Sequence, residues 1–179
     1  MIALKRILVP TDFSEASQAA VTYGVALARA FNAKLDLLHV AVRHEFEVSV
    51  ERQRVIDTFL SGRAVAAFPI GLDESVQHAA RELLGKILTA QEEKDVRAEY
   101  VLRASGPGGP YIEIVRYAQD HVIDLIVMGT HGRGSVAHML MGSVAEKVVR
   151  KAPCPVLTVR HPEHEFVIPE EPAGPTGAR

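Results

Sequence analysis

The stretch from Asp124 to Ser143, DLIVMGTHGRGSVAHMLMGS, constrains this chain more than any other. Leu125, Ile126, Val127 and Met128 are apolar without alternation, the pattern of a strand covered on both faces, and such strands belong to parallel sheets packed between helices. Gly129, Gly132 and Gly134 follow, removing side chains where the backbone is expected to turn. Gly142-Ser143 then opens a periodic segment, Val144 to Lys151, that predicts a helix. Strand, glycine loop and helix start together form a place for an anion. Bare backbone N–H groups and the positive end of a helix dipole attract it, and the absent Cβ atoms let it approach.

The rest of the chain repeats the alternation of short apolar runs with helical periods. Arg6 to Pro10 predicts a first buried strand, and Thr11 to Ser14 a turn and cap. A helix with apolar positions Ala16, Ala20, Val21, Ala28 and Phe31 comes next, and Leu35 to Val40 is a second strand. From Ala41 to Leu72 the pattern weakens, a charged helix over Phe46 to Phe59 being the one candidate, and this segment reads as an insertion. One long helix is expected over Val76 to Glu93, a third strand over Ala98 to Leu102, a turn over Ser105 to Pro110, and a helix over Tyr111 to Gln119. The last strand is Pro155 to Val159. Five strands alternating with helices predict an α/β fold, an open, parallel, doubly wound sheet, because right-handed crossovers put helices on both faces. Ligands of such sheets sit beyond the carboxyl ends of the strands, where the strand order reverses.

With 179 residues, 47% of them hydrophobic, the chain supports one core, and a single domain over residues 1–160 is expected. Beyond it, residues 161–179 are rich in proline and glutamate with little apolar periodicity, the composition of a flexible tail. The net charge of −2, with both signs interspersed, lacks the basic footprint of a nucleic-acid partner. No run approaches the roughly 18 apolar residues of a membrane span, and Lys5-Arg6 interrupts the N-terminal one, so a soluble cytoplasmic protein with no membrane partner is expected. The single cysteine, Cys154, lies between Pro153 and Pro155 and reads as a packing residue.

The glycine spacing carries a resemblance. Gly129, two residues, Gly132, nine residues, Gly142 and then Ser143 reproduce the nucleotide-binding motif of the universal stress protein family. Val9-Pro10-Thr11-Asp12-Phe13-Ser14, His39-Val40, Gly106 and Ala152-Pro153-Cys154-Pro155-Val156 are similar to that family too. The resemblance covers residues 4 to 160 and implies strand order 3-2-1-4-5. In members that bind ATP it implies that Asp12 and the backbone of Val40 hold the adenine end, flanked by Pro10, Thr11 and Met128. It further implies Gly129 at the ribose and Gly132, Arg133, Gly142, Ser143 and Val144 around the phosphates, with Mg²⁺ carried mainly by the nucleotide. A homodimer pairing the last strand, Val156, Leu157, Thr158 and Val159, is implied as well.

Plainer readings stand beside these. Ser143-Val144-Ala145-Glu146 has the form of a capping box, so Ser143 serves a cap, a phosphate, or both. Asp12 stands three before Glu15 and reads also as the cap of the first helix. Arg133 suits a phosphate or open solvent; His131 and His138 read as surface residues without metal-ligand spacing, and His161 and His164 as tail residues. Two motif matches are decoys. Gly132 to Ala137 satisfies G-x-G-x-x-A but follows the fourth strand, not the first, and Ser135 stands where a Walker loop needs lysine.

Between Gly129 and Ser143 there is neither carboxylate nor lysine to assist phosphoryl transfer. The resemblance thus implies ATP binding in a stress-response or signalling module, and the loop's residues add the expectation of slow hydrolysis or none, no catalytic residue and no protein-held metal. The alternatives are a dimeric interaction module without nucleotide and a nucleotide-using transferase.

Overall fold

The apolar runs become five parallel strands in the computed structural model, which describes residues 2–42, 74–132 and 141–161, with side chains of the second segment from residue 78 onward. In chain order the elements are β1 (Arg6–Thr11), α1 (Glu15–Phe31), β2 (Lys34–Ala41), α2 (Glu74–Leu84), α3 (Ala90–Asp95), β3 (Glu99–Ala104), α4 (Pro110–Asp120), β4 (Leu125–Gly129), α5 (Ser143–Lys151) and β5 (Val156–Val159). The sheet order is β3-β2-β1-β4-β5, and every pairing is parallel. β1 is central, Ile7 pairing with Leu35 on one side and Leu125 on the other.

Because successive strand residues point to opposite faces, the strands feed two cores. Ile7, Val9, Leu35, Leu37 and Val127 pack with α1 residues such as Ala20, Val21, Val25 and Ala28. Leu8, Leu38, Val40, Ile126 and Met128 pack against Ile114, Tyr117 and Ala118 of α4 and Ala145 and Val148 of α5. Helix α1 lies close: a Cβ on Gly24 would stand 2.5 Å from Val9 Cγ2. At the amino ends of the strands, Asp36 is fully buried and its Oδ2 accepts from Arg6 Nε at 2.6 Å and from the Tyr117 hydroxyl at 3.0 Å. Arg6 and Lys34 both also pair with Glu99, tying β1 to β2 and β3 at the end remote from the ligand crevice described below.

Several boundaries differ from those the sequence suggests. The single helix over Val76 to Glu93 is two. After Leu84 the hydrogen bonds shorten to Lys86 N–H to Leu83 O and Ile87 N–H to Leu84 O, and Thr89 starts α3 with a reciprocal capping box to Glu92. Ala80, Leu84 and Leu88 stay buried across the break, so the apolar period survives although the helix does not, while Leu83 is exposed. Ala41 belongs to β2, opposite Ala104, and not to the insertion. Of that insertion, residues 43–72 lie outside the described residues, as do 162–179 of the tail. Pro110 begins α4 as its first residue, where its missing N–H costs nothing.

Candidate functional site

The carboxyl ends of β1 and β4 lie side by side, and their chains leave toward opposite faces: β1 runs into α1, while β4 leads through the glycine loop to α5. That divergence leaves a crevice of about 390 Å³ at the strand ends, within the range of small-ligand sites. Its lining includes Pro10, Thr11, Asp12, Val40, Met128, Gly129, Gly132, Gly142, Ser143 and Val144. Every site residue named from the sequence is thus gathered there except Arg133, which lies outside the described residues.

The floor on the α1 side is a knot of short polar contacts. Phe13 takes φ of 63° to reverse the chain after β1. Its N–H donates to Thr11 Oγ1 at 3.1 Å. Ser17 Oγ donates to Ser14 O at 2.8 Å, so at 3.1 Å the Thr11 hydroxyl is the donor to Ser17 Oγ. The cap of α1 is Ser14, whose side chain accepts from Ser17 N–H. Asp12 is therefore not the cap. Its Oδ1 accepts from Ser14 N–H at 3.1 Å and from the Ser14 hydroxyl, which positions the carboxylate beside the loop after β4. A Cβ on Gly132 would stand 2.4 Å from Asp12 Oδ2. Thus a carboxylate reaches the glycine loop after all, from 120 residues earlier in the chain.

On the opposite wall, Gly142 N–H donates to Thr130 O at 2.7 Å and closes the neck of the loop. A Cβ on Gly142 would press on that same oxygen at 3.3 Å. The contact places Gly142, and not Ser143, at the N-cap of α5, and no side chain caps the helix. The capping box over Ser143 to Glu146 is therefore not formed: Ser143 is already the first helical residue, and Glu146 faces Arg150 at 3.6 Å. The backbone N–H groups of Ser143, Val144 and Ala145 precede the first intrahelical bond, from Glu146 N–H to Gly142 O, and all three residues line the crevice.

Gly129 answers to a different neighbour than expected. It is the last residue of β4, and a Cβ there would stand 2.8 Å from Ala16 O, so its bareness serves the approach of α1 more than a turn. His131, expected on the surface, is half-buried in the lining, with Nδ1 2.9 Å from Thr130 Oγ1. His39 also lines the crevice, as do Ser17, Thr130 and Ile114, which had no signal of their own in the sequence. His39 is buried with Nδ1 2.9 Å from Thr11 O, a contact that requires a proton on Nδ1, and its ring lies 4.5 Å from that of Phe13. Cys154 is part-buried, and burial pushes its thiol up, as befits a packing residue.

A family model described as the universal stress protein family matches residues 3–160. The chain belongs to the universal stress protein family. Among this family member's relatives, universal stress protein MJ0577 of Methanocaldococcus jannaschii is 33% identical over 167 residues, covering 89% of this chain and 96% of that protein. Universal stress protein UspA from Lactobacillus plantarum has the same fold, with TM-score 0.62 and 27% identity over 89% of this chain and all of that one. The fold is shared, too, by a universal stress protein solved in complex with cAMP, at TM-score 0.58 and 22% identity over 89% of this chain and 98% of that one. A universal stress protein from Archaeoglobus fulgidus solved with dAMP shares it at TM-score 0.54 and 19% identity over 89% and 99%. No described helix is long and apolar enough to cross a membrane.

Proposed function

We propose that the crevice binds an adenine nucleotide, ATP in the first place, and that this universal stress protein acts as a nucleotide-dependent stress-response or signalling module of the cytoplasm. The observation that carries the reading is the start of α5, which no side chain caps and which the Gly142–Thr130 contact holds against the end of β4, where the first three helical residues, whose N–H groups precede the first intrahelical bond, line the crevice. Relatives of the same fold bound to cAMP and dAMP support an adenine nucleotide as the ligand. In this reading Asp12 and the Val40 backbone take the base, Gly129 faces the ribose, and Gly132, Arg133, Gly142, Ser143 and Val144 surround the phosphates. The apolar walls from Val40, Met128 and Ile114 suit a flat base.

The donors present fit a nucleotide whose Mg²⁺ is carried mainly by its own phosphates. Among the described residues no three His, Cys, Asp or Glu side chains converge on a metal position, and Asp12 is the one carboxylate of the described lining. Hydrolysis is then slow or absent, and occupancy is the signal: nucleotide favours whichever arrangement of the protein binds it better. β5 is the sheet edge and carries Leu157 at 38% exposure, so we assign the homodimer to pairing of β5 with its mate.

The test is to denature freshly purified protein, identify any released nucleotide, and titrate the emptied protein with ATP with and without Mg²⁺. Co-purified adenine nucleotide, or micromolar affinity abolished by Gly142→Val in a folded variant, supports the site. No binding at millimolar ATP overturns it and leaves a nucleotide-independent dimeric module; turnover of about 1 s⁻¹ or faster overturns the non-enzyme reading.

A further inference from the structure

Helices α4 and α5 pack side by side with both amino ends at the crevice, and the Lys147 ammonium, on the second turn of α5, stands 5.2 Å from the centroid of the ring of Tyr111, on the first turn of α4. Tyr111 follows Pro110 and precedes Ile114 by one turn, and both of those residues line the crevice. Lys147 stands four residues after Ser143 and three after Val144, so it lies one turn below both on the helix surface. Helical side chains lean toward the amino end, and the long lysine stem carries the ammonium toward the level of the unbonded N–H groups of α5. Lys147 is exposed and, among the described residues, has no carboxylate partner, unlike Arg150, which faces Glu146. An exposed cation resting on a part-buried tyrosine ring is held more weakly than by a charge-assisted hydrogen bond to phosphate.

We propose that Lys147 is the specificity residue that distinguishes nucleotides by phosphate number. It rests on Tyr111, beside the crevice, and moves onto the outer phosphate of a nucleoside di- or triphosphate bound at the start of α5. A monophosphate held by its single phosphate at the start of α5 does not reach the ammonium. A longer phosphate chain extends along α5, where its added charge is met by Lys147 and by nothing else among the described residues of that helix turn. The proposal rests on the nucleotide reading above and adds to it the source of a preference for ATP over AMP.

The experiment is calorimetric titration of ATP, ADP and AMP, at one ionic strength, into the wild-type chain and into Lys147→Gln and Lys147→Arg. Lys147→Gln is expected to weaken ATP about tenfold and AMP less than about twofold, and Lys147→Arg to keep most of the ATP affinity, since the charge and not the ammonium shape makes the contact. Tyr111 ring resonances are expected to shift on adding ATP more than on adding AMP, as the cation leaves the ring. Equal losses for ATP and AMP in Lys147→Gln, no loss for either, or an arginine variant as weak as the glutamine one would each overturn the proposal. A wild-type chain that binds none of the three nucleotides overturns the nucleotide reading itself.

Discussion

Gly129 and Gly132 stand three residues apart in one motif, yet the same substitution is expected to do opposite things at the two sites. A Cβ on Gly129 meets the backbone of Ala16, 2.8 Å from its oxygen and 2.9 Å from its carbonyl carbon. That backbone is the first turn of α1 and moves only if the helix moves. Overpacking of this kind costs about 1–3 kcal/mol, offset by about 0.4–1 kcal/mol from the stiffer unfolded chain, so Gly129→Ala loses about 1–2 kcal/mol. At about 2–4 °C per kcal/mol for a chain of this length, Tm falls by about 2–8 °C. On Gly132 the Cβ meets the end of a side chain, Asp12 Oδ2, and not backbone, and a rotation about χ1 or χ2 relieves it. Gly132→Ala therefore melts within about 1 kcal/mol of wild type, but the carboxylate is turned away from its place beside the loop. Loss of a well-placed hydrogen bond to a charged group is worth about 1.5–3 kcal/mol, so adenine-nucleotide affinity falls about tenfold or more. Differential scanning and titration calorimetry on both variants separate the two effects. A Gly129→Ala protein that melts at or above wild type, or a Gly132→Ala protein that binds nucleotide as wild type does, would refute the reasoning at that glycine.

Three further outcomes follow from the same geometry. Val122, β-branched and 78% exposed, holds φ of 51° after α4; left-handed backbone costs such a residue about 1–2 kcal/mol against about 0.5–1 kcal/mol for the entropy of glycine, so Val122→Gly should raise Tm by about 1–4 °C, and a fall would count against strain there. Burial, reinforced by Asp36, pushes the Tyr117 hydroxyl above its ordinary value; a raised acid holds its contribution below the unfolded pKa of about 10 and loses it as pH climbs toward the folded value. Tyr117→Phe should therefore flatten the alkaline fall of a denaturant-midpoint titration, and at pH 7 cost about 1–3 kcal/mol, because Asp36 Oδ1 already lacks a partner among the described residues; an unchanged alkaline limb would exclude this linkage. A proline at Thr158, whose N–H faces the open edge because Pro155 O and Val159 O bond to the β4 side, should convert the dimer to monomer in sedimentation at micromolar concentration, whereas a dimer insensitive to it, or a monomeric wild type, removes β5 as the interface.

The sequence by itself determined the five strands, most of the helices and the parallel class of the sheet. Unalternating apolar runs at Ile7–Val9 and Leu125–Met128 announce strands covered on both faces, and α1 announces itself by its small apolar residues at helical spacing, because both periods are local properties of the chain. The glycine spacing from Gly129 to Ser143 likewise pointed to the end of the sheet where the crevice lies. What one period cannot report is which groups meet across the fold. Continuous apolar spacing through Leu84 and Leu88 concealed a break that Gly85 permits and the Thr89 capping box completes. The S-x-x-E pattern at Ser143 promised a cap that was never made, since the bond from Gly142 N–H to Thr130 O starts α5 one residue earlier. Gly129 is bare because Ala16 approaches it, and Asp12 stands at the loop because Ser14 turns it there. Those contacts join residues up to 120 positions apart, and only the packing of α1 against the parallel sheet decides them.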